Sequence, residues 1–134
     1  MDPFLQLAAQ GAMIDRLSSD SRRCAPGVAF LAYPGEASDG RAHIGDGHDT
    51  AASRALVAQI DAGTAERPLN VSCWGGQTDL AQALWRVRQD RGRAGLADFV
   101  RKFRVYDVSD QDGIADWMHA EFPGMFYIIA RAAP

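Results

Sequence analysis

The stretch with the most chemical promise is Pro68 to Ala83, PLNVSCWGGQTDLAQA. It reads as an apolar strand, a Gly-Gly turn and the start of a helix. In open parallel sheets, ligands collect where strand ends meet helix starts. Trp74, Gly75, Gly76, Gln77 and Asp79 are therefore candidate ligand-crevice residues. Amides at a helix start can bind anions or sugar hydroxyls. The bland alternative is that the glycines only turn the chain while Thr78 or Asp79 caps the helix, Asp79 and Gln82 having capping-box spacing. Ser109, Asp110 and Asp112, with Gln111, form the next strand-end loop and can face the same crevice. Capping of the following helix is again the alternative.

The remaining polar clusters promise less. Asp46, His48 and Asp49 have metal-like spacing, but calcium takes six or more oxygen ligands and a short loop cannot supply them. Gly45-x-Gly47 lacks the third glycine of a dinucleotide fingerprint. His43, His48 and His119 are scattered, so nucleophilic catalysis has no support beyond residue presence. Cys24 and Cys73 lie far apart and outside any metal-binding motif, which argues against both a disulfide framework and a zinc site. No catalytic residue, metal or cofactor is expected.

The elements that must position the crevice follow from periodicity. Residues 1–11 suggest a short helix and residues 12–18 a strand. Val28 to Tyr33 (VAFLAY) is a compact apolar run between Pro-Gly turns, hence a buried strand. A helix from Ala51 to Ala62, capped by Thr50 or Asp49, buries Ser53, Leu56, Val57 and Ile60 at helical spacing. Leu69 to Trp74 is a strand. The helix after it buries Leu80, Ala83, Leu84 and Val87 and ends at Gly92, and a shorter one follows over Ala94 to Lys102. Arg104 to Val108 is a strand, Gly113 to Phe122 a helix facing inward through Ile114, Trp117, Met118 and Phe122. Met125 to Ala130 is apolar on both faces, which predicts an interior strand of a covered sheet. Strands alternating with helices imply parallel pairing and right-handed crossovers. The expected fold is α/β: a single domain over 1–134, a three-layer sandwich around a mostly parallel sheet.

With 134 residues and a formal charge of −3, acidic and basic groups mixed, the chain has enough length for one core and no basic stripe for nucleic acid. No window approaches a membrane span and the first residues make no secretory signal, so a cytoplasmic location is expected.

Two family resemblances lie in the sequence. The run SSDSRRCAPGVAFLAYPGEASDGRAHI, within residues 1–44, resembles the N-terminal domain of Mur ligases through its DSR, PG, apolar strand, PGE and DGR pattern. That resemblance implies a uridine contact at Ser21 and looser ones over Glu36 to Ser38. The ligases' P-loop, GxxxxGK[ST], is absent, so ligation is not expected. From residue 45 to the C-terminus, GDGHDTAASRAL, PLNVSCWGGQTDLAQALW, FRVYDVSDQDG and IADWMHAEFPGMFYI resemble the nucleoside hydrolase-like domain of bacterial sugar- or cellulose-binding proteins. Full nucleoside hydrolases use an N-terminal aspartate cluster that binds calcium and activates water, and no DxDxxxDD cluster precedes Gly45 here.

The two resemblances together predict a chimera of two unrelated fragments with a seam near Ile44 to Asp46 and no activity of its own. The alternative is a weak sugar- or nucleoside-binding module, and a nucleoside hydrolase would need a substitute for the aspartates. Open edges of a truncated sheet pair readily, so a homodimer or strand-exchanged homo-oligomer is the expected partner state.

Overall fold

The structure, a computed structural model, describes the backbone of residues 28–32 and all of residues 40–131. Within these lie four strands, β1 (Val28–Ala32), β2 (Leu69–Trp74), β3 (Phe103–Val108) and β4 (Phe126–Ala130). The helices are α1 (Ala51–Asp61), α2 (Gln77–Val100) and α3 (Ala115–Glu121), preceded by a 3₁₀ turn over Gly40–His43. The expected helix over 1–11, the strand over 12–18, Ser21 and Glu36 to Ser38 lie outside the described residues.

The strands pair in the order β1-β2-β3-β4, every pair parallel. Each step moves one strand along through a crossover, the connection that parallel strands require. The α/β reading therefore holds. All three helices meet one sheet face. Leu69, Val71 and Cys73 of β2 and Phe103 and Val105 of β3 form one buried cluster with Leu56 and Ile60 of α1, Leu80, Leu84 and Phe99 of α2, and Met118 of α3. The opposite face carries Asn70, Ser72 and Trp74, which are half-buried, and Arg104, which is exposed. A third layer over that face would have to come from outside the described residues.

The helical faces read from periodicity are the buried ones, with Val57 and Trp117 half-buried at their margins. Thr50 caps α1 through a capping box: its hydroxyl accepts from the Ser53 amide at 2.9 Å, and Ser53 Oγ accepts from the Thr50 amide at 2.9 Å. Gly92, at φ 66° and ψ −169°, breaks the direction of α2 where the sequence predicted an end. One expectation fails. β4 is an edge strand among the described residues, not an interior one, and Phe126 is 55% exposed. Apolarity on both faces records what covers a strand's faces and carries no information about whether its edge is paired. Among the described residues no helix is long and apolar enough to cross a membrane.

Candidate functional site

The C-terminal ends of β2 and β3 bring the predicted residues together. Two successive left-handed residues, Gly75 (φ 79°) and Gly76 (φ 99°), swing the chain from β2 into α2. Glycine adopts this geometry without the side-chain clash other residues suffer. Helix α2 then starts at Gln77 with no cap from its own Gly76, so the expected cap by Thr78 or Asp79 is not what forms. The cap comes from the neighbouring loop instead. Asp112 Oδ2 accepts from the Gly76 amide at 3.2 Å, the Thr78 amide at 2.9 Å and the Thr78 hydroxyl at 2.8 Å. A carboxylate on the first amides of a helix also faces the positive end of its dipole.

Asp79 serves elsewhere: its Oδ1 accepts from the Thr50 hydroxyl at 2.6 Å, tying the α1 cap to α2. Gln82, the supposed capping-box partner, is buried and holds the 45–50 loop. Its Oε1 accepts from the Gly45 amide at 2.7 Å, and its Nε2 donates to Gly45 O at 2.9 Å and to Asp49 Oδ1 at 2.7 Å. Asp49 is further paired with Arg86 at 2.9 Å. These hydrogen bonds and the guanidinium hold the Asp49 carboxyl below its ordinary value. No three His, Cys, Asp or Glu side chains gather as a metal site among the described residues. With Asp49 already committed, the Asp46–Asp49 loop does not fit a calcium ion.

The β3–α3 loop is folded around its own carboxylates. Asp110 Oδ1 accepts from the Ile114 and Ala115 amides, both at 3.0 Å, and so caps α3. Ser109 and Asp110 are left-handed at φ 71° and 48°, a conformation that costs a residue with a Cβ roughly 1–2 kcal/mol. Ser109 is exposed, and its amide continues the β3–β4 ladder by donating to Ala130 O at 2.9 Å. Trp74 is half-buried on the less covered sheet face, its Nε1 donating to Ser72 Oγ at 3.2 Å.

Three contributors escaped the sequence reading. Asp107 is fully buried, and its carboxylate accepts from Gln77 Nε2 at 2.8 Å, the Asp110 amide at 3.1 Å and Tyr127 Oη at 2.7 Å. Burial pushes its carboxyl up, although these three donors act in the other direction. Tyr127 is pushed far up by burial and by that carboxylate. The signal for Asp107 was present: in FRVYDV it shares the inward phase of Phe103 and Val105. Gly40 is the third. It is buried, and a Cβ there would lie 2.6 Å from Thr78 Oγ1 and 3.2 Å from Ile114 Cγ2. The 3₁₀ turn thus presses its backbone against the Asp112-bound corner.

Comparison with known proteins accords with this frame. Residues 27–133 match the family described as cellulose-binding Sde182, nucleoside hydrolase-like domain. The chain belongs to that family. The match to the Sde182 nucleoside hydrolase-like domain takes in β1, which the motif reading had placed before the seam. A solved structure shares the fold with a TM-score of 0.62 and 40% identity, covering 67% of this chain and 22% of that one. It is a nucleoside hydrolase-related hypothetical protein from Saccharophagus degradans associated with carbohydrate metabolism. Short likenesses to UDP-N-acetylmuramoyl-L-alanyl-D-glutamate–2,6-diaminopimelate ligases also occur. That of Acidovorax sp. is 51% identical over 41 residues and that of Ectopseudomonas mendocina 46% identical over 46. These cover 31% and 34% of this chain, which spans only 8% and 9% of the two ligases. The Sde182-like chain likewise spans 22% of the solved relative's length.

Proposed function

We propose that this chain is a carbohydrate-binding module of nucleoside hydrolase-like fold, without a hydrolytic step of its own. The observation that carries the reading is the commitment of the strand-end carboxylates. Asp107, Asp110 and Asp112 each accept from two or more donors inside the protein, so each has a structural role in capping or tying the strand-end loops. What the strand ends leave to solvent is the half-buried Trp74 indole and the exposed Ser109. An aromatic face with a few polar groups is the usual composition of a small-molecule site. The family description, cellulose-binding, and the carbohydrate association of the solved relative supply the ligand class.

The test is adsorption to microcrystalline cellulose beside the Trp74→Ala variant, with release of base from a nucleoside assayed in parallel. Retention of the native chain, weakened in the variant, with no base released, is the expected result. Base release would replace the binding module with a hydrolase, and no retention would remove cellulose as the ligand.

A second reading is that the chain joins pieces of two enzymes and has no biological role. The ligase likenesses favour it, being high in identity and confined to about a third of the chain. Sequencing the coding locus decides it: a contiguous bacterial gene excludes an artificial junction.

A further inference from the structure

Among the described residues, Arg86, Arg88 and Arg91 of α2 are paired with Asp49, Glu121 and Asp61 at 2.9, 2.8 and 2.6 Å. Arg67, Arg101, Lys102 and Arg104 take part in no ion pair. All four sit where strands begin: Arg67 just before β2, Arg101 and Lys102 between α2 and β3, and Arg104 in β3. The backbone brings them together. The Leu69 amide donates to Lys102 O at 2.8 Å, and a Cβ at Gly63 would lie 3.6 Å from Arg67 O and 3.9 Å from Lys102 O. The three arginines are exposed and Lys102 is half-buried. Beside them is Phe126, the one large apolar side chain exposed among the described residues. It stands in register with Arg104, whose guanidinium carbon lies 5.6 Å from its ring centroid.

Few carboxylates answer this charge. Asp61 is taken by Arg91 through hydrogen bonds of 2.7 and 2.6 Å. Glu66 is bonded by its own backbone and by Thr64, and Asp98 stands exposed near the end of α2. The cations outnumber these two. Acidic groups gather instead at the other end of the sheet, where Asp79, Asp110, Asp112 and Asp116 surround the helix starts. β3 is six residues long, so the two ends stand roughly 20 Å apart by the rise of a strand. The Debye length at physiological salt is about 8 Å. The acidic end, and with it the formal charge of −3, is therefore largely screened from the basic one.

We propose that Arg67, Arg101, Lys102, Arg104 and Phe126 form a second glycan-binding surface at the strand-start end of the sheet, and that it takes an acidic polysaccharide built of uronic acids. Arginine holds a planar carboxylate through two parallel N–H groups, and a polyuronate presents a carboxylate on every sugar. The C–H groups along a pyranose face suit the negative π face of an aromatic ring. A nucleic acid would also meet cations and a ring, but the family description, cellulose-binding, favours the sugar. That choice of ligand class rests on the carbohydrate-binding reading. The surface itself does not, since Trp74 lies at the opposite end of β2.

Isothermal titration calorimetry of the full chain with oligogalacturonate tests it, beside the fully methyl-esterified oligomer and single-stranded DNA. Oligogalacturonate is expected to bind at low salt and to weaken as salt rises. Arg101→Ala and Arg104→Ala should each lower its affinity by up to about fivefold, the scale of one exposed ion pair. Phe126→Ala should weaken binding while leaving its salt dependence in place. The methyl ester keeps the sugar faces and loses the charge, so it should not bind. No binding at low salt, equal binding of the ester, or unchanged affinity in both arginine variants overturns the proposal. DNA bound as tightly as oligogalacturonate overturns it too, by making the surface a general polyanion site. Oligogalacturonate binding without retention on cellulose would remove the Trp74 crevice as a cellulose site and keep this surface, and the reverse would remove this surface alone.

Discussion

Asp112 caps a helix to which it does not belong: its Oδ2 accepts from both the amide and the hydroxyl of Thr78, at 2.9 and 2.8 Å, across 34 positions of sequence. The β2–α2 turn and the β3–α3 loop are thereby one structure. Asp112→Ala should cost about 1–2 kcal/mol, the usual loss for a helix cap. Urea denaturation measures it. A change within experimental error would show that the Thr78 contacts are replaced by water without cost.

Asp107→Asn should raise stability at neutral pH. The folded-state carboxyl lies above its ordinary value, so the stabilising contribution of its proton is complete below the unfolded value and is lost as pH rises through the folded one. Asparagine keeps an acceptor for Gln77 and Asp110 and never ionises. Thermal melts across pH should therefore show the variant ahead of the native chain near neutrality, with the gap closing in acid. A variant that is less stable at every pH would mean the ionised hydrogen bonds outweigh burial.

Gly40 should resist enlargement. A methyl at this position lies 2.6 Å from Thr78 Oγ1, so the hydroxyl must leave Asp112 or the turn must lift. Gly40→Ala is expected to lose about 1–3 kcal/mol, the usual effect of overpacking. Adding Thr78→Ala removes the clashing atom, so the double variant should lose less than the sum of the two single changes. Additive losses would place the cost elsewhere.

We also propose self-association through the sheet edges. β4 is an edge among the described residues and Phe126 is exposed upon it, with the Arg104 guanidinium 5.6 Å above its ring. Light scattering should give a mass above that of one chain, and Phe126→Lys should lower it, because charge on an edge opposes pairing. A monomer at high concentration contradicts the proposal.

Much of the fold was legible because periodicity reports burial directly. The Leu56–Ile60, Leu80–Leu84–Val87 and Met118–Phe122 faces were read from spacing alone, and the break at Gly92 from the glycine itself. The site was legible as a location but not as a set of bonds. Asp79 and Gln82 have the spacing of a local capping box, yet the competing partners Thr50 and Gly45 lie 29 and 37 positions away. Local patterns cannot weigh such partners. Asp107 was passed over because it sits within an apolar strand, where a carboxylate in the inward phase marks the exception rather than the rule. Gly40 was grouped with the ligase-like motif, and its packing on Thr78 emerged only in three dimensions.

The central claim is that the strand-end crevice binds carbohydrate and does not cleave nucleosides. An NMR titration of the labelled chain with cellohexaose, and separately with ribose and uridine, tests it most directly. Binding at this site predicts saturable shifts of the Trp74 indole N–H and of the Gly75, Gly76 and Ser109 amides with the oligosaccharide. Unmoved signals at those four groups, or free base appearing in the uridine sample, would contradict it.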